Sequence, residues 1–205
     1  MKRLVLLGEH QTMVRACTRC PDMIGPPVLG TPTLSDILLV GQAPGDKEPK
    51  LGRPFAWTAG KNLFKWFATL GVDEPTFRAH VYMAAVCRCF PGKNPTGGDR
   101  VPSDPEIAAC RPHVLRELEL LRPQLLLPIG RLAIAQFLPA APLAEIIGTL
   151  HSTKIGPRRY DVLPLPHPSG ASTWYHTEPG QTLTKRALAL LGAQPAWKKL
   201  VAHMS

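Results

Sequence analysis

The sequence predicts an α/β protein: one three-layer α/β/α domain over residues 1–205, built on a central four-stranded, mainly parallel sheet. Three observations predict it. Four short runs are apolar without alternation, the pattern of strands covered on both faces. Segments of helical spacing lie between them and supply the crossovers that parallel strands need. Loops rich in glycine and proline follow the strands, at the end where open α/β sheets place their ligands.

The apolar runs occupy residues 36–40, 80–86, 124–129 and 160–165. Pro128 cannot donate to a ladder, so it belongs at the end of the third strand. Among the helical segments, 59–70 sets Leu63, Phe64, Phe67 and Leu70 on one stripe before Gly71, a natural stop. Residues 105–121 follow Ser103 and Asp104, with Pro105 at an early helical position, a capping signal. Segments 131–138 and 181–191 complete the set, and there is no internal repeat or low-complexity tract.

With 205 residues, 44% of them hydrophobic, the chain can bury a sizeable core, which excludes global disorder. No run approaches the roughly 18 apolar residues of a membrane span. The basic and apolar start, Met1 to Leu7, is cut short by Glu9, His10 and Gln11, so no signal peptide is expected. The expected location is the cytoplasm, with the nucleoid. A formal charge of +9 favours a polyanionic partner over a neutral one. Five cysteines without a secretory signal read as metal ligands or buried thiols, not as a disulfide framework.

Two loops carry the chemistry. Gly41-Gln42-Ala43-Pro44-Gly45-Asp46-Lys47-Glu48 leaves the first strand, and Gly52-Arg53-Pro54-Phe55 and Ala59-Gly60-Lys61 follow. Two glycines and a proline fix a tight loop with outward backbone groups. Beside it, Phe55 either packs in the core or stacks an extruded base. The second loop is His167-Pro168-Ser169-Gly170-Ala171-Ser172, after the last strand. Prolines on both sides hold His167 rigid, which suits an imidazole that must meet developing charge.

A Gly-Gln-x-Pro loop after the first strand and a His-Pro-Ser loop after the last resemble the paired signatures of uracil-DNA glycosylases. The stretch from Gly41 to Gly60, and Arg122-Pro123-Gln124-Leu125 through Gly130, resemble the iron–sulfur enzymes of families four and five. The likeness runs from about Cys17 to His167. It implies a uracil-DNA glycosylase-like fold and a monofunctional base-excision glycosylase. The implied partner is DNA containing deaminated bases, bound by a monomer with no membrane association. It also implies a 4Fe–4S cluster on Cys17, Cys20, Cys89 and Cys110, with an N-terminal cluster-binding segment at about residues 1–30. Cys87 is the alternative to Cys89, and zinc the alternative to the cluster.

By the same resemblance His167 donates to the leaving base, Gln42 orients a water and Phe55 stacks the base, with Gly41, Ala43, Gly45 and Ala85 around it. Asp46 and Glu48 are the nearest carboxylates and the candidates to activate the water, Asp46 foremost, with a solvated loop face as the alternative reading. Ser169, Arg158 and Trp174 are the expected DNA contacts, and Lys93 to Arg100 form a basic loop suited to phosphate. Three departures stand out. Ala43 replaces a catalytic Asp of the best-known relatives, and Gln42 replaces a Glu. Ala85 replaces the Asn that reads the uracil edge, which relaxes the choice of base. The His-Pro-Ser loop lacks the usual wedging Leu, leaving Trp174 and Tyr175 either to fill that role or to pack on the last helix. These losses also admit a damaged-DNA-binding module without turnover.

Overall fold

A computed structural model describes residues 1–170 and 172–203; Ala171, part of the second loop, lies outside the described residues. The chain runs α1 (Lys2–Arg15), β1 (Ile37–Gly41), α2 (Glu48–Leu51), α3 (Thr58–Ala68), α4 (Glu74–His80) and β2 (Tyr82–Ala85). It continues through α5 (Asp104–Leu121), β3 (Leu125–Pro128), α6 (Arg131–Ile134), α7 (Leu143–Ile146), β4 (His151–Ile155) and β5 (Arg158–Val162). It closes with α8 (Gly180–Ala193) and α9 (Pro195–Ala202). No helix among the described residues is long and apolar enough to cross a membrane.

The sheet has five strands, not four, in the order β2-β1-β3-β5-β4. The four expected strands are all present and mutually parallel. The extra strand, β4, pairs antiparallel with β5 across a turn at Gly156. It escapes sequence reading because it is a polar edge strand whose residues alternate between half-buried and exposed. Pro128 ends β3 as expected, and the ladder resumes beyond it where Ile129 donates to Val40 at 2.8 Å.

Burial on both faces explains the unbroken apolar runs. Leu38 and Val40 of β1 point to one core, with Tyr82, Leu126 and residues of α1 and α5. Ile37 and Leu39 point to the other, with Met83, Leu127 and residues of α3, α8 and α9. In that second core Phe67 stacks on Phe77 with centroids 4.5 Å apart, and Trp197 closes over both. The helix α1 was not expected. Its buried face is Leu7, His10, Gln11 and Val14, half polar, so it shows no apolar stripe, and its order comes from packing against α5.

Candidate active site

At the carboxyl ends of β1 and β2, an open pocket of ≈ 990 Å³ gathers residues from both signature loops. Gly41, Gln42, Ala43, Gly45, Asp46, Phe55, Ala85, His167 and Ser169 all line it. Its floor is set by steric fit. A Cβ on Gly41 would sit 2.9 Å from the Phe55 ring, so the ring lies directly on the strand. Phe55 itself has φ 51, an uncommon conformation for a bulky residue and one that surrounding contacts must enforce. Gly60 makes room for it: a Cβ there would fall 1.8 Å from the Phe55 carbonyl oxygen.

Two charged side chains hold this turn. The Glu48 carboxylate accepts from the Gly45 N–H at 3.1 Å and the Ala56 N–H at 2.9 Å. Burial pushes its pKa up, against those same donors. From α4, Arg78 donates to the carbonyls of Pro54 at 2.8 Å and Phe55 at 2.9 Å. The guanidinium also lies 4.7 Å from the Phe64 ring centroid and pairs with Glu74 at 2.7 Å. Glu48 is therefore a loop clamp, and Arg78, which no local motif marks, holds the turn from the other side.

His167 is half-buried, and burial holds its pKa below the ordinary value. Its Nδ1 accepts from the Ser169 N–H at 3.3 Å, so a neutral ring carries its proton on Nε2. Gly130, at φ 85, gives the imidazole room: a Cβ there would lie 3.1 Å from the ring. The loop is fixed from behind by Asn62, which donates to the Pro168 carbonyl at 2.9 Å, and by Tyr175, whose hydroxyl donates to the Ser169 carbonyl at 3.3 Å.

The other expected residues divide. Asp46 lines the pocket but pairs with Lys47 at 3.3 Å and Lys93 at 3.6 Å. Asp99, also in the wall, pairs with Lys93 at 2.6 Å. Each of the three carboxylates lining the pocket thus has partners, Asp46 and Asp99 in exposed lysine pairs and Glu48 on backbone donors. Arg158 begins β5, at the opposite end of the sheet from His167, and is not part of the pocket wall. Trp174 packs against α8, where Gly180 leaves it space, and Tyr175 is buried. Neither is free to wedge into a duplex.

The cysteines lie beside a second cavity of ≈ 440 Å³, between the end of α1 and the start of α5. Cys17, Cys20, Cys89 and Cys110 line it together with Arg88 and His113. Cys87 is wholly buried and outside the cavity wall. The nearness of the Cys87 thiol and of Arg88 lowers the Cys110 thiol, against burial. Burial, then the closeness of Cys110, Cys20 and Cys17, pushes Cys89 up to about 11. Behind the thiols, the buried Arg88 donates to Glu117 at 2.5 Å and to the Ala85 carbonyl. Glu117 also accepts from Tyr82 at 2.9 Å.

The sheet is mainly parallel and covered on both faces, and an aromatic ring and a rigid histidine line one pocket at its carboxyl edge. A family model described as the uracil DNA glycosylase superfamily matches residues 27–192, and the chain belongs to that superfamily. It is similar to type-4 uracil-DNA glycosylases of several organisms. That of Archaeoglobus fulgidus is 30% identical over 141 residues, covering 66% of this chain and 66% of the relative. That of Thermotoga maritima is 33% identical over 127 residues, covering 60% and 62%. That of Sulfurisphaera tokodaii is 29% identical over 143 residues, covering 67% and 61%. The match therefore spans just under two thirds of the length of these relatives.

Proposed function

We propose that the chain is a monofunctional DNA glycosylase that hydrolyses the N-glycosidic bond of uracil, and of other deaminated bases, in DNA. The observation that carries this reading is the Phe55 ring packed against Gly41 by its Cε2 and Cζ atoms, in the pocket that His167 also lines. A planar base taken out of the stack finds there an aromatic face and, on His167 Nε2, a hydrogen-bond donor. The leaving base carries negative charge on its O2 oxygen as the bond to the sugar lengthens. A neutral imidazole fixed before reaction stabilises that charge without reorganising.

The carboxylates nearest the water that completes hydrolysis are Asp46, paired with exposed lysines, and Glu48, held by backbone donors. In this reading Gln42 orients that water, and most of the acceleration comes from stabilising the leaving group. Ala85 offers a methyl group where relatives are expected to read the base edge, so selection between uracil, hypoxanthine and xanthine is relaxed. Lys47, Lys61, Lys65 and Lys93, all in the pocket wall, supply phosphate contacts.

The four cavity cysteines fit a 4Fe–4S cluster. Cys17 and Cys20 come from the N-terminal segment, at about residues 1–30, and Cys110 from α5. Zinc on the same four thiolates is the alternative. When bound, the cluster supplies a covalent tie between the N-terminal segment and the body of the fold. Iron and acid-labile sulfide in the pure protein, with visible absorbance, test this; zinc alone would overturn it.

The test of activity is base release from single-stranded and duplex oligonucleotides carrying uracil, hypoxanthine or xanthine, scored by alkaline cleavage. Release is expected from the wild type. No release from cluster-loaded protein, with damage-dependent binding retained, would replace this reading with that of a binding module; Ala43 and Ala85 are what favour that alternative.

A further inference from the structure

Trp57 breaks two local rules at once. It is 49% exposed, although a tryptophan is among the side chains with most to gain from burial. It also occupies the N-cap of α3 without making a side-chain cap bond, at a position that Ser, Thr, Asp or Asn would serve better. The other three tryptophans are accounted for. Trp197 is 1% exposed, Trp66 sits edge-on to Tyr175 at 5.1 Å, and Trp174 packs against Gly180. A residue that serves neither core nor cap points to a contact outside the chain.

Its surroundings define that contact. Trp57 lines the same pocket as Phe55, two positions along the chain, so their backbones stand at most about 7 Å apart. The Lys61 ammonium lies 5.7 Å from the Trp57 ring centroid, and Lys65 follows one helical turn on in the same wall. An aromatic face flanked by cations is the arrangement that receives a stacked nucleobase and its phosphate. With Trp174 and Tyr175 committed to packing, Trp57 is the large aromatic at the pocket mouth with a free face.

We propose that Trp57, backed by Lys61, stacks on the nucleobase adjoining the one held by Phe55 on the same strand. The inference rests on the pocket being a base site, and it adds a second, flanking nucleotide subsite to it.

Binding can be measured with an oligonucleotide carrying 2′-fluoro-2′-deoxyuridine, which resists cleavage, both single-stranded and in duplex. Trp57→Ala is expected to weaken binding about tenfold on at least one of the two forms, the scale of one lost stack. Trp57→Phe should recover most of the affinity. The oligonucleotide should also quench wild-type tryptophan fluorescence, and Trp57→Phe should lose that quenching while remaining folded by circular dichroism. Equal affinity of wild type and Trp57→Ala on both forms, or quenching that survives in Trp57→Phe, would overturn the subsite. If such variants matched a wild type that still releases base, only the subsite would fail. A wild type that neither bound nor released base would sink the pocket reading as well.

Discussion

Ala85 lines the pocket of Phe55 and His167, and Cys89 lines the cysteine cavity, so one short segment serves two regions that are built by opposite means. The pocket is made by steric fit: glycines at 41, 60 and 130 admit ring and carbonyl atoms where any Cβ would collide. The cavity is made by charge. Arg88 and Glu117 are buried together, and the thiols facing them oppose one another's ionisation. A steric site is specified before anything binds, whereas an assembly of buried charges and thiols is completed by what it holds. Changes in the cavity should therefore register first as lost stability, and changes in the pocket as lost rate with stability intact.

The largest effect is expected in the cavity. Glu117→Ala strands the Arg88 guanidinium, which is 2% exposed, and removes the acceptor of Tyr82. Breaking one partner of such a pair costs about 3–5 kcal/mol. Denaturant unfolding and iron content should fall together. An unchanged midpoint would mean that Arg88 finds other partners and that charge does not organise this region.

Next is His167→Ala. Loss of one preorganised donor to developing charge lowers the rate of base release by roughly 10²–10³-fold. The unfolding midpoint should move little. A large loss of stability without a larger loss of rate would erase the distinction between the two regions.

The reach of sequence reading follows the same division. Strands β1, β2 and β3 were legible because burial on both faces leaves no polar alternation, and β5, exposed at Arg158, Arg159 and Asp161, was legible through the apolar residues that continue it to Leu165. The residues Gly41, Phe55 and His167 were legible because each sits inside a local motif. What escaped depends on contacts distant in the chain. Arg78 meets Phe55 across 23 residues, and Asn62 meets Pro168 across 106. Neither pairing leaves a local pattern. Which of its two readings Trp174 takes was not legible for a related reason, since the space beside Gly180 against which it packs exists only in the folded chain. Helix α1 was missed because His10 and Gln11, its buried face, look like surface residues until Glu117 and Tyr82 lie against them.

Arg78→Ala sharpens the steric side of the comparison. It removes two donors from the turn that keeps Phe55 at φ 51, without touching the base. A ring misplaced by about 1 Å costs up to roughly 10²-fold, but Glu48 still holds the other side of the turn, so about tenfold is expected. The loss should appear mainly in KM, because stacking acts on bound substrate and transition state alike. Arg78→Lys should not restore it, since one ammonium cannot reproduce the two-carbonyl fork. A loss confined to kcat would instead place Arg78 in the service of the reacting bond.

The smallest effect is the acid limb of the rate. Burial lowers the pKa of His167 from its ordinary value of 6.5, so in the folded protein the neutral ring persists below that pH. Protons are taken up first by the unfolded chain, and the contribution of His167 to stability is full above about pH 6.5. It declines as pH falls from there toward the lowered native value. The rate should follow the native value alone. Protonation fills Nδ1, breaks its contact with the Ser169 N–H and replaces a neutral donor by a buried cation. Single-turnover base release should therefore stay level from pH 8 down through 6.5 and fall only below it. A decline already centred at or above 6.5 would show that the imidazole is not desolvated in the working enzyme, and a rate that instead rises as pH falls through 6.5 would give the leaving-group role to a protonated histidine.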